Sequence, residues 1–169
     1  MTRLVIGAAA GAALVLAGEL LFLTQGGMPA AARGARPLPL EEWLAGRALE
    51  VAIGKDASRA SPLPGDAPNL LAGARVYREN CMTCHGAVGD AQRSAVAAGM
   101  FPRPPHLMPP DKGVTDDPVG ETYWKVRNGI RLTGMPSFEG ALTDAELWQV
   151  SLLLLHANEL SPAVEAELH

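Results

Sequence analysis

At 169 residues the chain is long enough for one domain plus accessory segments, since domains usually run to about 100–150 residues. Its 14 basic and 18 acidic residues leave a formal net charge of −4 with no basic patch, which excludes nucleic acid as a partner. The only two cysteines lie three positions apart, too close to staple a fold, so they serve chemistry.

The hydrophobic excess is concentrated near the amino terminus. Leu4–Leu23, LVIGAAAGAALVLAGELLFL, carries Glu19 as its only charge. At roughly 1.5 Å per residue this run reaches about 30 Å, the thickness of a bilayer's hydrocarbon core. Residues 1–25 therefore read as a transmembrane anchor or an uncleaved signal. The run exceeds the roughly 7–15 residues of a signal's apolar region, although Ala30, Ala31 and Ala32 offer a processing site. Either way the body of the protein is exported. Arg33 and Arg36 on the far side weaken the positive-inside argument for that orientation. Gly7 and Gly11 form a G-x-x-x-G, a spacing that lets helices approach closely. Glu19 is costly in a span unless paired or near the interface. Both hint at a partner helix, but an Ala-rich run yields such a spacing easily.

Residues 26–68 read as a linker. GGMPAAARGARPLP (26–39) is rich in Gly, Pro and Ala. LEEWLAGRALEVAI (40–53) has apolar residues at 40, 43, 44, 48, 51 and 52, close to helical spacing, and predicts a short amphipathic helix on the domain or near the membrane surface. SPLPGDAP (61–68) forms a second hinge. The compact domain is expected over 69–169. Asn69 is placed to cap a helix running through Asn80, with Leu71, Gly73, Val76 and Tyr77 available for packing. CMTCHG follows. Residues 86–118 hold six prolines, five of them between Pro102 and Pro110, which break any regular core helix. Pro118 to Gly129 predicts a third helix with Gly129 as its C-cap. Thr143-Asp-Ala-Glu146 is a capping box, opening a helix to about Asn158. That helix sets Leu147, Val150 and Leu154 beside Trp148, Leu152 and Leu155. No stretch alternates as a strand, so the domain is all-α with long loops.

The chemistry lies in residues 81–85, CMTCH. C-x-x-C-H signals covalent haem attachment. Two thioether bonds must reach two vinyl groups of one porphyrin, and about a helical turn between the sulfurs matches that separation. Cys81 and Cys84 are the candidate anchors, and His85 the proximal iron ligand. A thioredoxin-like dithiol wants a βαβ setting that this helical chain lacks. Zinc would draw on Cys81, Cys84 and His106 with His85 or His156. Adjacent Cys84 and His85 would strain to share one tetrahedral site, and there is no second C-x-x-C.

The sixth ligand decides between electron transfer and small-molecule binding. Met1, Met28 and Met82 are poorly placed. Met135 sits in RLTGMPSF, in the loop between the third and last helices, where Gly134 and Pro136 set the chain's course and leave room for a ring. A thioether is a soft donor that favours reduced iron and raises the potential. Met100 and Met108 are rivals, and His106 would give bis-histidine ligation.

From Asn69 to about Leu160 the order CMTCHG, Pro-rich loop, YWKVRNGIRLTGMPSF and TDAELWQVSLLLL resembles a class I monohaem c-type cytochrome, here with an N-terminal membrane anchor. The resemblance implies the class I cytochrome c fold, three to five helices around one covalent haem c. In it the first and last helices cross, with Gly73 and Tyr77 meeting the last helix near Trp148 and Leu152. It also implies a proline carbonyl, from Pro102, Pro104 or Pro105, accepting the Nδ1 proton of His85. Trp124, Arg127 and Arg131 are candidates for the haem propionates, although solvent or packing explains each as well. His156 and His169 are expected to be bystanders. Residues 40–53 lie outside the resemblance. The function implied is a one-electron carrier on the outer, periplasmic face of the cytoplasmic membrane, exchanging electrons with redox proteins and not itself an enzyme. A fixed haem subunit of a larger membrane oxidoreductase is the alternative, and a haem sensor or peroxidase-like protein the third reading.

Overall fold

The computed structural model describes residues 2–27, 30–109 and 116–169; Met1, Met28 and Pro110, named above, lie outside them. Contacts divide the chain into two compact units, Met1–Ala35 and Arg36–His169. The first is helix α1 (Thr2–Thr24), none of whose residues is buried. It is long and apolar enough to cross a membrane by length and composition, with a mean hydropathy of 2.1.

Among its described residues the second unit consists of helices joined by loops, with an isolated bridge between Glu139 and Leu142. Its elements are α2 (Glu41–Ile53), a 3-10 helix (Gly54–Ser58), α3 (Ala67–Asn80), α4 (Met82–His85), α5 (Ala95–Gly99), α6 (Val119–Asn128), α7 (Asp144–Leu155) and α8 (Pro162–Glu167). The core is built on α7. Trp148, Val150, Ser151 and Leu153 are fully buried there, and Leu147, Leu152 and Leu154 nearly so. Each large apolar side chain so buried contributes about 1.5–3 kcal/mol. Ser151 is accommodated because its hydroxyl donates to the Leu147 carbonyl one turn back.

Helix α3 starts three residues earlier than expected. The cap is Asp66, whose carboxylate accepts from the Asn69 N–H at 3.2 Å, and Pro68 fits the first turn because no helical N–H is required there. Asn69 instead ties α3 to its surroundings: its amide donates to the Pro64 carbonyl, and its Oδ1 accepts from Gln149 on α7. The two helices touch at Gly73. A Cβ there would lie 2.2 Å from the Gln149 carbonyl oxygen and 3.1 Å from Leu153 Cβ, one residue along α7 from the expected contact.

Helix α7 ends at Leu155, before the expected Asn158, with His156 as C-cap. The short α8 was not foreseen. Val164 and Leu168 bury against the core, and Arg78 on α3 holds α8 through the Glu167 carboxylate at 2.7 Å and its carbonyl at 2.9 Å.

The compact unit also begins well before residue 69. Ile53 is buried, and a Cβ at Gly120 on α6 would meet the backbone of Asp56 and Arg59. The Arg59 guanidinium lies 4.9 Å from the Tyr123 ring and 5.2 Å from Trp148, which themselves stack at 3.9 Å. Thus the 3-10 helix and Arg59 clamp the upstream segment onto α6 and α7. Of the apolar positions expected to pack along 40–53, Leu40, Trp43, Leu44 and Val51 are exposed, because α2 turns the other side, with Leu49 and Ile53, inward.

The capping box is present in full: Thr143 Oγ1 accepts from the Glu146 N–H, and Glu146 accepts from the Thr143 N–H at 2.7 Å. Thr143→Ala is expected to destabilise the domain by about 1 kcal/mol. These bonds hold the Glu146 carboxyl below its ordinary value. Its contribution is therefore complete above the unfolded carboxylate pKa and lost as pH falls through the lowered folded value. Urea titrations of Glu146→Gln should show a deficit at neutral pH that shrinks in acid.

Candidate functional site

Helix α3 delivers the chain directly into the motif. Cys81 is the C-cap of α3 and the N-cap of α4, and the His85 N–H donates to the Cys81 carbonyl at 2.9 Å, so the motif is wound as a single helical turn. Gly86 follows at φ 87, a left-handed backbone that suits glycine and redirects the chain. The fully buried Tyr77 donates its hydroxyl to the Gly86 carbonyl at 2.7 Å, pinning the exit of the motif to α3.

The Pro-rich stretch wraps the other side of the motif. The Leu107 N–H donates to the His85 carbonyl, and Ser94 both caps α5 and donates to the Thr83 carbonyl. His85 Nδ1 lies 2.9 Å from the Pro105 carbonyl oxygen. A carbonyl only accepts, so Nδ1 carries the proton and Nε2 keeps its lone pair for a metal. Among the three candidate prolines, Pro105 is the acceptor. Burial lowers the His85 pKa, partly offset by this hydrogen bond, and His106 lowers it further, so the imidazole is neutral at neutral pH.

The loop after α6 is equally defined. Gly129 (φ 68) ends α6, and a Cβ there would collide with the backbone of Pro136 and Ser137. Ile130 N–H donates to the Met135 carbonyl, Met135 N–H donates to Thr133 Oγ1, and Phe138 N–H returns to the Val126 carbonyl on α6. Met135 is thereby held at the end of a short return loop.

Cys81, Cys84, His85 and Met135 all line one cleft of about 870 Å³ including its open mouth. Its other walls are largely apolar: Leu107, Val126, Ile130 and Phe138, with Val150 and Leu154 from α7. Burial, and then the neighbouring Cys84, push the Cys81 thiol up to about 12, which disfavours a free thiolate and with it dithiol redox chemistry. Among the described residues no cluster of three or more His, Cys, Asp or Glu suits a bare metal ion. Two thiols, a neutral imidazole and a thioether around an apolar cleft fit a flat, mostly apolar prosthetic group.

Three expectations change. Met108 is buried in the core, and neither it nor His106 lines the cleft, whereas Met100 does. His106 Nδ1 accepts from the Met108 N–H and its ring packs over Gly86. The space at Gly134 is filled by the Met100 methyl, 1.9 Å from where a Cβ would stand, so that glycine makes room for a second methionine. Trp124, Arg127 and Arg131 do not line the cleft, and Arg127 pairs with Glu139. Arg103 lines it instead, a cation that its place among prolines gave no reason to single out.

A helical fold with C-x-x-C-H and a loop methionine on one apolar cleft is that of a c-type cytochrome. Residues 68–152, half of the chain, match the family model described as cytochrome c oxidase, cbb3-type, subunit III, and the chain belongs to that family. No curated protein and no solved structure gives a significant match. The family carries covalently attached haem c and serves electron transport, and the N-terminal apolar helix fits a membrane anchor.

Proposed function

We propose that this chain is a membrane-tethered electron carrier whose haem is bound through thioethers to Cys81 and Cys84 and ligated by His85 and Met135. The observation that carries this reading is the convergence of those four side chains on one apolar cleft, with His85 Nδ1 anchored to Pro105. When bound, the haem supplies a one-electron Fe(III)/Fe(II) couple. His85 offers Nε2 from a ring fixed in tautomer and direction, and Met135 offers sulfur from a hydrogen-bonded loop, so the donors need little rearrangement when an electron arrives. The apolar walls exclude water, while the open mouth leaves an edge for partner proteins. His85 and Met135 would together hold the iron, so that the group would carry electrons and transform no substrate. In this reading α1 is retained in the cytoplasmic membrane and the haem domain faces the periplasm, where haem is joined to such motifs.

A second reading, a fixed haem subunit of a membrane oxidase, draws on the family description. Extraction in mild detergent separates the two: stoichiometric co-purification with large subunits favours the subunit, and a monodisperse small cytochrome favours the carrier. The test of the electron-transfer reading itself is carbon monoxide. At neutral pH the reduced protein is expected to exchange electrons rapidly and to bind little carbon monoxide. Ready binding would place it among sensors or peroxidase-like proteins.

A further inference from the structure

Helix α2 carries apolar residues on two opposite faces. One holds Leu49 and the buried Ile53, which with the following 3-10 helix rests on the haem domain. The other presents Leu40, Trp43, Leu44 and Val51, exposed by 70%, 66%, 56% and 67%. Their spacing, with Arg47 between Leu44 and Val51, makes a continuous stripe at helical periodicity. Contiguous exposed apolar surface of this kind marks an interaction site.

Chain connectivity says what covers it. Only residues 25–40 separate the end of α1 from the start of α2. A segment of sixteen residues reaches at most about 53–58 Å even when fully extended, so α2 stays tethered to whatever holds α1. Arg33 and Arg36 are the only charges in the linker, and both suit anionic headgroups. Trp43 is a side chain that favours the headgroup level, and Arg47, paired with Glu50 at 2.9 Å, stands within the stripe.

We propose that α2 lies in the bilayer surface by its Leu40–Trp43–Leu44–Val51 face, as an interfacial helix that sets the haem domain at a fixed attitude to the membrane. The inference rests on α1 being a retained anchor. Ile53, the 3-10 helix and Arg59 transmit the attitude, because the 3-10 helix follows α2 directly and packs on α6, and Arg59 lies on the Tyr123 and Trp148 rings of α6 and α7.

The test uses the full-length, haem-loaded protein in nanodiscs of mixed zwitterionic and anionic phospholipid. In that form Cys81 and Cys84 are bonded to haem, so one added cysteine takes one spin label. Labels are placed by Leu44→Cys and Val51→Cys on the stripe, by Glu42→Cys and Lys55→Cys off it, and by Ala12→Cys in α1. An unchanged haem spectrum confirms that each variant has folded. The ratio of collision with oxygen to collision with a water-soluble nickel chelate should be several-fold higher at 44 and 51 than at 42 and 55. Equal, water-like ratios at all four positions would overturn the inference. So would labels at 44 and 51 that are immobile and shielded from both agents, a result that would put a protein partner on the stripe. Ala12 separates the two levels: embedded while 44 and 51 are wet, it sinks the α2 inference alone, and if it is wet itself the anchor reading falls too.

Discussion

Met135→Ala should convert the low-spin haem to a high-spin or ligand-exchanged species and lower its reduction potential, by a sizeable part of the roughly 0.8 V that axial ligands span. The substitution leaves the return loop intact, since Met135 takes part in that loop's hydrogen bonds through its backbone N–H and carbonyl. What it removes is the soft sulfur that favours the reduced iron. Met100 is the internal competitor because it lines the same cleft and reaches Gly134, next to Met135. Visible and magnetic circular dichroism spectra of Met135→Ala, Met100→Ala and the double variant therefore decide the ligand. A low-spin spectrum untouched in Met135→Ala but lost in Met100→Ala would reassign it.

Gly73→Ala is expected to destabilise the domain by about 1–3 kcal/mol or more. The obstacle is a backbone carbonyl, that of Gln149, so relief requires α3 and α7 to separate instead of a side chain turning away. Separation would also disturb the cleft, because α3 leads into Cys81 while α7 supplies Val150 and Leu154 to its wall. Gly46→Ala is the control. That glycine lies within α2 with nothing inside 4 Å of the added carbon, so the substitution should be neutral or stabilise slightly. Urea midpoints of the haem-loaded proteins measure both.

Local chemistry made much of this structure legible in the sequence. The Thr143–Glu146 box, Gly129 as a C-cap and C-x-x-C-H are short signals whose physics is contained within a few residues, and helices appear where those signals place them. What escaped depends on distant partners. The choice of Pro105 over Pro102 and Pro104 turns on how the loop lies against His85. Asp66 displaced Asn69 as a cap because Pro68 fits in the first turn of α3. Helix α8 is too short for periodicity to reveal, and it holds by Val164, Leu168 and the Arg78–Glu167 pair. The outward face of α2 reads in sequence like any packed helix; only the fold shows that the protein leaves it bare.

The covalent bond is the centre of this structure's chemistry, and intact mass spectrometry of the matured protein tests it most directly. The mass should exceed that of the polypeptide by one haem, survive acid-acetone extraction, and fall to the bare polypeptide when Cys81 and Cys84 are both changed to alanine. A bare polypeptide in the mature wild-type protein, or haem that withstands extraction without the two cysteines, would contradict it.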